Sequence, residues 1–367
     1  MRSSVQFALL AMVLTAVPAF AQKDPPPPIN GNPPAKTEPK LKIGDPAPPL
    51  TVGKWHQGPE VKAFEKDKVY VVEFWATWCG PCIAAMPHLS ALQAEYKTQG
   101  VTVVGFTSRD VLGKPDHSEQ EVAAFMDRRG KKFGYSFAYA DDNVTAEAWM
   151  VAAGREGIPC TFVVDKAGKI AYIGHPMYLP EVLPRVVDGA ATAKEVGAHM
   201  AAVQAEFSAL SANAFDDPKA CLKALAKFET EHPKLADFLV SVRLKLSLLP
   251  KHGGPGEAKA YAEGLVAAAV KRKDVQTLGM TSALLRKGDG KGSVDLLAVA
   301  VRAAEAQVSL DGGKDAWSLL DLADAHFVSG AKAKAEEYAR KAKDAASTEP
   351  AAVRESVEKE AARLGVK

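Results

Sequence analysis

Two cysteines three positions apart are the clearest chemical feature of this sequence. Cys79 and Cys82 enclose a Gly-Pro pair, and the other two of the four cysteines, Cys160 and Cys221, are distant in the chain. Two thiols at this spacing can close into a disulfide and reopen to a dithiol. Four cysteines are too few for a disulfide-stapled secreted scaffold, and no second Cys-x-x-Cys or paired His follows to complete a zinc site. The spacing therefore favours redox chemistry.

The residues around this pair predict that it lies at the start of a helix. Residues 69–74 form a short, apolar, β-branched run that predicts a buried strand, and residues 81–96 show helical periodicity. Free backbone N–H groups and the positive end of the helix dipole stabilise a thiolate in the first helical turn. We therefore expect Cys79 to be the nucleophile and Cys82, one turn later, to resolve the mixed disulfide.

Strand and helix patterns alternate from residue 41 to residue 189. The predicted strands are 69–74, 101–106, 161–165 and 170–173, and the predicted helices are 81–96, 118–129 and one that begins at 141–143. A short Lys-Ala-Gly turn separates the last two strands, which predicts a hairpin. This alternation predicts an α/β domain over residues 41–189.

Residues 190–367 differ from this pattern, because Ala, Leu, Lys and Glu recur at helical spacing throughout. Leu319, Leu322, Ala323 and Phe327 are predicted to line one buried helix face. Gly and Pro breakers divide the region into short helices, which predicts an all-α domain of stacked helical hairpins. Residues 317–342 resemble part of a tetratricopeptide repeat, but the match is single and degenerate, and a generic helical bundle explains it equally well.

The N-terminus carries features of export. Residues 1–21 combine an early Arg, an apolar stretch and an Ala-Phe-Ala end, which predicts a cleaved signal peptide. Residues 22–40 are rich in proline and predict an extended linker. No later segment is apolar over the ~20 residues that a membrane span needs. The 46 Lys+Arg and 44 Asp+Glu residues leave a net charge of only +2, which disfavours nucleic acid as a partner. We expect a periplasmic or secreted protein without a membrane span after signal cleavage.

Residues 74–82 (FWATWCGPC) resemble the thioredoxin active site, and residues 83–87 (IAAMP) resemble its continuation in the secreted TlpA/ResA-like branch. Residues 157–159 (GIP) resemble the second signature of the family, and residues 43–48 resemble its entry strand. The resemblance covers residues 41–189 and implies a thioredoxin-like α/β fold, in which helices flank a central mixed sheet. It does not extend to the helical half.

The resemblance also implies roles for individual residues. Cys79 would be the nucleophile, Cys82 the resolving thiol, and Pro159 a substrate-docking residue with a cis peptide bond. Glu73 matches a buried acid that accepts the proton of Cys82, although a strand residue that reaches solvent is the alternative. The expected substrate-binding residues around them are Trp78, Gly80, Pro81 and Ile158.

Two departures from the family pattern affect the predicted site. Thioredoxin has a lysine on the next strand near the buried acid, whereas residues 103–106 contain none, so proton transfer would depend on water. Cys160 follows Pro159 where the family usually has threonine. Cys160 is then either a small buried residue or an accessory thiol for metal binding or an alternative disulfide.

These features predict an extracytoplasmic thiol-disulfide oxidoreductase that reduces protein disulfides. Its partners would be disulfide-bonded protein substrates and an unidentified thiol electron donor, and its only redox group would be the Cys79–Cys82 disulfide, with no other cofactor and no metal. The alternative hypothesis is a Cu(I)-binding module that uses Cys79, Cys82 and Cys160. We expect the helical half to bind protein partners, and the competing interpretation is a cap over apolar surface of the α/β domain.

Overall fold

The computed structural model describes residues 39–109, 118–236, 239–254, 256–287, 294–347, 349 and 351–366. The predicted signal peptide and all but the end of the predicted linker lie outside these residues. Strands and helices alternate in the N-terminal half. The strands are β1 Lys54–Gln57, β2 Val69–Phe74, β3 Val101–Ser108, β4 Ser136–Ala140, β5 Cys160–Val164 and β6 Ile170–Gly174. The helices are α1 Gly80–Tyr96, α2 Glu119–Arg129, α3 Val144–Ala146, which continues as a π-helical turn, and α4 Leu179–Asp188.

The six strands form one mixed sheet in the order β1-β4-β3-β2-β5-β6. The central strands β2, β3 and β4 are parallel, while β1, β5 and β6 run antiparallel to their neighbours. Every residue of β2 is buried, as its apolar and β-branched sequence predicts for a central strand. The predicted hairpin is formed by β5 and β6. The thioredoxin-like α/β fold is therefore confirmed.

Each face of the sheet has its own apolar core. One face, called here the α1 face, carries Val71 and packs against α1, α2 and α4. The opposite face, the α3 face, carries Val72 and Phe74 and packs against the π-helical turn that follows α3 and the segment that leads into β1. Because successive strand residues point to opposite faces, Glu73 of β2 shares the α1 face with Val71.

The elements described after α4 are all helical, as predicted. They are α5 Ala193–Ala212, α6 Pro218–Glu231, α7 Leu239–His252, α8 Glu257–Arg272, α9 Val275–Arg286, α10 Val294–Asp311, α11 Ala316–Val328, α12 Lys332–Ala346 and α13 Ala351–Arg363. Helices α11 and α12 form a hairpin through a three-residue turn, 329–331. Among the described helices, none has both the length and the apolar character of a membrane span.

The predicted buried face of α11 is correct except at Phe327, a residue that is 38% exposed. His326 occupies the buried position instead, and its ring stacks on Tyr338 with 5.6 Å between centroids. A helix stripe that begins at Leu319 can continue at the seventh or the eighth residue after it, which are His326 and Phe327. Helical spacing alone does not decide between them, and in the structure His326 is the buried one.

Helix α5 joins the helical half to the α/β half. Its buried residues Val196, Met200, Val203 and Phe207 belong to the same core as the α1 face of the sheet. The Gln204 side-chain amide donates a hydrogen bond to the Tyr172 hydroxyl on β6, at 3.3 Å. Helix α5 therefore covers the edge strand β6, which would otherwise leave unpaired backbone groups exposed.

Candidate active site

The two cysteines of the motif occupy the first turn of α1. Cys79 is the N-cap residue, and the Cys82 backbone N–H donates to its Sγ at 3.2 Å. The two sulfurs are joined in a disulfide, and the Cα atoms are 5.3 Å apart. The helix start places backbone N–H groups and the dipole beside Cys79, where they stabilise a thiolate once the disulfide is reduced. The two cysteines therefore lie close enough to form a disulfide, and the redox activity of the pair stays a prediction.

The two cysteines differ in access to solvent. Cys82 is completely buried, whereas Cys79 retains 4% exposure at the surface. Gly80 and Pro81 beside it are exposed, and the Trp78 side chain is 42% exposed. A substrate disulfide would therefore reach Cys79 before Cys82. The exposed residues around Cys79, called here the rim, are Trp78, Gly80 and Pro81.

The cis-proline signature lies at the same end of the sheet as the motif. Phe74 of β2 pairs with Cys160 of β5, so the segment that leads from Phe74 to Cys79 adjoins the residue before Cys160. The Ile158–Pro159 peptide bond is cis, as the resemblance implied. Ile158 packs against the cores of both sheet faces. The structure thus brings the predicted docking residues to the end of the sheet where Cys79 lies.

Glu73 is fully buried on the α1 face, which α1 covers with Cys82. It pairs with Gly105 of β3 and with Thr161 of β5. Neither carboxylate oxygen has a hydrogen-bond partner among the described residues. Burial raises the pKa of Glu73 well above its usual value. The alternative prediction, a strand residue that reaches solvent, is wrong.

Cys160 is buried on the opposite side of the sheet from the disulfide. It belongs to the core of the α3 face, together with Phe74 and Phe162, whereas Cys79 and Cys82 belong to the core of the α1 face. Burial raises the pKa of Cys160 to about 12, so it remains a thiol at neutral pH. Cys221 on α6 is also buried, and burial raises its pKa.

This arrangement contradicts the three-cysteine site of the Cu(I) hypothesis. Alternation along β5 directs Cys160 away from the face that holds Cys79 and Cys82. In the described ranges, no three His, Cys, Asp or Glu side chains cluster closely enough to hold a metal ion. Cys160 is instead a small buried residue, in agreement with the other interpretation.

Two buried hydroxyl groups on the α1 face were not predicted. The Thr161 hydroxyl and the Tyr135 hydroxyl are buried, and neither has a hydrogen-bond partner among the described residues. Thr161 could have been found, because a hairpin strand that starts after Pro159 places it on the face opposite to Cys160. Tyr135 directly precedes β4, whose sequence SFAYA gives only a weak strand signal, so no local pattern connects Tyr135 with Glu73.

Comparison with known proteins finds relatives of the α/β half. The model of the AhpC/TSA family matches residues 43–173. Protein FixW of Rhizobium leguminosarum is 32% identical over 149 residues, which cover 41% of this chain and 67% of FixW. The thiol-disulfide oxidoreductase ResA of Bacillus cereus is 30% identical over 132 residues, which cover 36% of this chain and 68% of ResA.

Solved structures of similar proteins match the same share of the chain. The crystal structure of a thiol:disulfide interchange protein from Chlorobium tepidum covers 42% of this chain and 99% of its own, at 24% identity and a TM-score of 0.31. The sequence relatives include thiol-disulfide oxidoreductases, and the mixed sheet and the cysteine pair at the start of α1 are consistent with that family. The chain therefore belongs to the thioredoxin-like family of TlpA/ResA-type thiol-disulfide oxidoreductases.

Proposed function

We propose that this oxidoreductase acts outside the cytoplasm and reduces protein disulfides, with Cys79 as nucleophile and Cys82 as resolving thiol. The observation that carries the proposal is the position of the pair. Cys79 caps α1 at the surface, and Cys82 is buried one turn later. The export pattern of residues 1–21 supports the location.

Reduction would proceed in two exchange steps. The Cys79 thiolate attacks one sulfur of the substrate disulfide, so that a Cys79–substrate disulfide forms and the other substrate sulfur leaves as a thiolate. The Cys82 sulfur then attacks Cys79 Sγ, which forms the Cys79–Cys82 disulfide and releases the second substrate sulfur. The substrate gains two electrons and the cysteine pair loses two. A thiol electron donor restores the dithiol, and the proposal requires no other cofactor.

Glu73 would act in the second step. Cys82 must lose its thiol proton to attack, and it is completely buried, so bulk solvent cannot accept that proton directly. Glu73 lies on the sheet face that α1 covers and has no competing hydrogen-bond partner among the described residues. Its raised pKa lies closer to that of a thiol than the pKa of an ordinary carboxyl does, which makes it a suitable proton acceptor.

Exposed residues around Cys79 would bind the substrate. Trp78 presents an aromatic surface, and the backbone at Pro159 lies at the same end of the sheet. Gly80 and Pro81 form the exposed tip of the helix start, and Ile158 adds apolar surface. A shallow, largely apolar rim of this kind suits an extended or partly unfolded polypeptide better than a small polar molecule.

The apolar packing of the helical half supports one role for its first two helices and another for the helices after them. Helices α5 and α6 share the core of the α/β half, which supports the cap interpretation for them. Helices α7 to α13 form further apolar clusters, and α7 also contacts the core of the α1 face through Leu244 and Leu248. We propose that these outer helices bind protein partners and thereby raise the local concentration of substrate at Cys79. A tetratricopeptide-type arrangement of α11 and α12 stays a prediction.

The reducing direction is tested by the redox equilibrium of the Cys79–Cys82 pair. The Gly-Pro dipeptide between the cysteines resembles that of reducing family members, so we expect a potential near the roughly −270 mV of thioredoxin. The measurement is the fraction of oxidised protein across a series of glutathione buffers, quantified by thiol labelling. A potential near the roughly −120 mV of DsbA would refute the reductase assignment and indicate an oxidase.

A further inference from the structure

Three buried polar groups near the active site have no hydrogen-bond partner in the part of the chain that the structure describes. They are both carboxylate oxygens of Glu73, the hydroxyl of Tyr135 and the hydroxyl of Thr161. The exposed fractions of the three residues are 0%, 3% and 0%. Buried polar atoms in folded proteins nearly always bond to protein or to an ordered water molecule.

The three groups lie on the same face of neighbouring strands. Thr161 is paired directly with Glu73 across β5 and β2. On the other side of Glu73, Gly105 of β3 is paired with both Glu73 and Phe137 of β4. The Tyr135 ring stacks on Phe137 with 4.4 Å between centroids and belongs to the core of the α1 face.

Gly105 lies between Glu73 and β4 and lets aromatic side chains approach the sheet closely. A side chain at Gly105 would meet the Phe137 ring at 3.1 Å and the Trp75 indole nitrogen at 3.3 Å, so these two rings fill the space over Gly105. Strands β2 and β4 are two strand spacings apart, about 10 Å. Glu73 and Tyr135 are both buried, and the Glu73 charge raises the pKa of the Tyr135 hydroxyl.

We propose that Glu73, Tyr135 and Thr161 together bind internal water, and that Tyr135 is a positioning residue that acts through this water on the carboxylate of Glu73. An internal water needs two to four polar partners, and two hydroxyls with a carboxylate supply them. The inference rests on the proposed roles of Glu73 and Cys82. Thioredoxin has a lysine near the buried acid, and β3 of this chain has none. The Tyr135 hydroxyl would take the part of that lysine.

The water would carry a proton in the resolving step. As Cys82 Sγ attacks Cys79 Sγ and the substrate thiolate leaves, the Cys82 proton passes to the water and a water proton passes to Glu73. Hydroxyl donors stabilise the ionised carboxylate more than the protonated one, because hydrogen bonds to charged acceptors are stronger. Tyr135 therefore keeps Glu73 ionised at a lower pH than burial alone would allow.

Among the described residues, α1 brings its two active-site cysteines to this face. Cys160 of β5 lies on the α3 face, and its thiol stays protonated. Helix α2 contributes only apolar buried side chains to the core of this face. The buried acid of α4, Glu181, forms an ion pair with Arg185 at 2.7 Å and contacts His199 of α5. The pH dependence of the resolving step should therefore report mainly on Glu73.

The test is the pH profile of the resolving step in the Tyr135→Phe variant. The reduced full-length protein is mixed with 5,5′-dithiobis(2-nitrobenzoate), and the released chromophore is followed in two phases. The first phase reports attack by Cys79, and the second reports resolution by Cys82. We expect the midpoint of the second phase to move to higher pH by about one unit, the size of one lost hydrogen bond to a charged group. At neutral pH the second phase would slow up to about tenfold, while the first would be unchanged.

The matched control is Tyr139→Phe, because Tyr139 of β4 belongs to the same core as Tyr135 but its hydroxyl donates a hydrogen bond to Asp141 at 3.1 Å. This variant should keep the wild-type profile. Thr161→Val preserves the side-chain shape and should shift the midpoint in the same direction as Tyr135→Phe, which keeps the test decisive if that variant does not fold.

Two negative outcomes are distinguishable. If Glu73→Gln leaves the second-phase profile unchanged, the proton-acceptor role in the proposed function fails, and the inference fails with it. If Glu73→Gln removes the pH dependence but Tyr135→Phe and Thr161→Val both behave like Tyr139→Phe, the inference alone is overturned. A shift in Tyr135→Phe and Thr161→Val, absent from Tyr139→Phe, supports it.

Discussion

Replacement of Cys79 by serine is expected to lower the rate of insulin disulfide reduction by at least about a thousandfold, to the uncatalysed background. The hydroxyl of serine does not ionise at neutral pH and cannot form a disulfide. The Cys79 sulfur is the one that lies at the helix start beside the exposed rim, and Cys82 is fully buried behind it. The measurement is the rate of insulin precipitation with dithiothreitol as the electron donor.

The matched controls are the two cysteines outside the motif. Cys160→Ala and Cys221→Ala should retain a rate close to that of the wild type, because both side chains are buried and burial raises the pKa of both thiols. Comparable losses in Cys79→Ser and Cys160→Ala, with both variants folded, would contradict the assignment of the nucleophile.

The second large effect concerns the boundary between the two halves. A chain that ends at Gly189 is expected to be unstable, because it lacks the α5 side chains that cover β6 and α4. Val196, Met200, Val203 and Phe207 are each at most 2% exposed. Burial of four such side chains contributes on the order of 10 kcal/mol, which is comparable with the total stability of about 5–15 kcal/mol typical of a domain.

A chain that ends at Ala236 is the matched comparison, since it keeps α5 and α6. We expect this longer chain to unfold cooperatively in urea and to reduce insulin, whereas the shorter chain aggregates or binds a hydrophobic dye. If both shortened chains unfold at the urea concentration of the full chain, the cap role of α5 and α6 is wrong. If the longer chain also keeps full turnover on a trapped native partner, the outer helices do not recruit it.

The sequence predicts the centre of the site well because its determinants are local. The Cys79–Cys82 spacing and the strand before it fix the chemistry and its position at a helix start. The apolar run of β2 identifies a central strand, and alternation within it places Glu73 on the same face as Val71. These features depend on neighbours in the chain, and the structure agrees with them.

Features that depend on pairing between distant segments were not predicted. Strand β4 has only five residues, SFAYA, of which two are alanine and one is serine, so its composition gives a weak strand signal. It is a strand because it pairs with β3 and β1. The pairing of β4 brings Tyr135, the residue before it, into the core of the α1 face, and no local pattern encodes that pairing.

Cys160 shows how proximity in sequence can mislead. It directly follows Pro159, which made a role beside the disulfide plausible. Strand alternation, however, turns its side chain to the α3 face, and its neighbour Thr161 points to the active-site side instead. The direction of a side chain in a strand decides which site it can serve, and a one-residue difference reverses that direction.

The central claim is that Cys79 attacks the substrate and Cys82 resolves the product, and a trapping measurement tests it most directly. Full-length Cys82→Ala protein is reduced, freed of reductant and mixed with insulin, and the products are separated without reductant and mapped by mass spectrometry. The account predicts a stable mixed disulfide joined to Cys79, which dithiothreitol releases, and no adduct on Cys160 or Cys221. Absence of an adduct, or an equal yield of adduct on Cys82 in the Cys79→Ala protein, would contradict it.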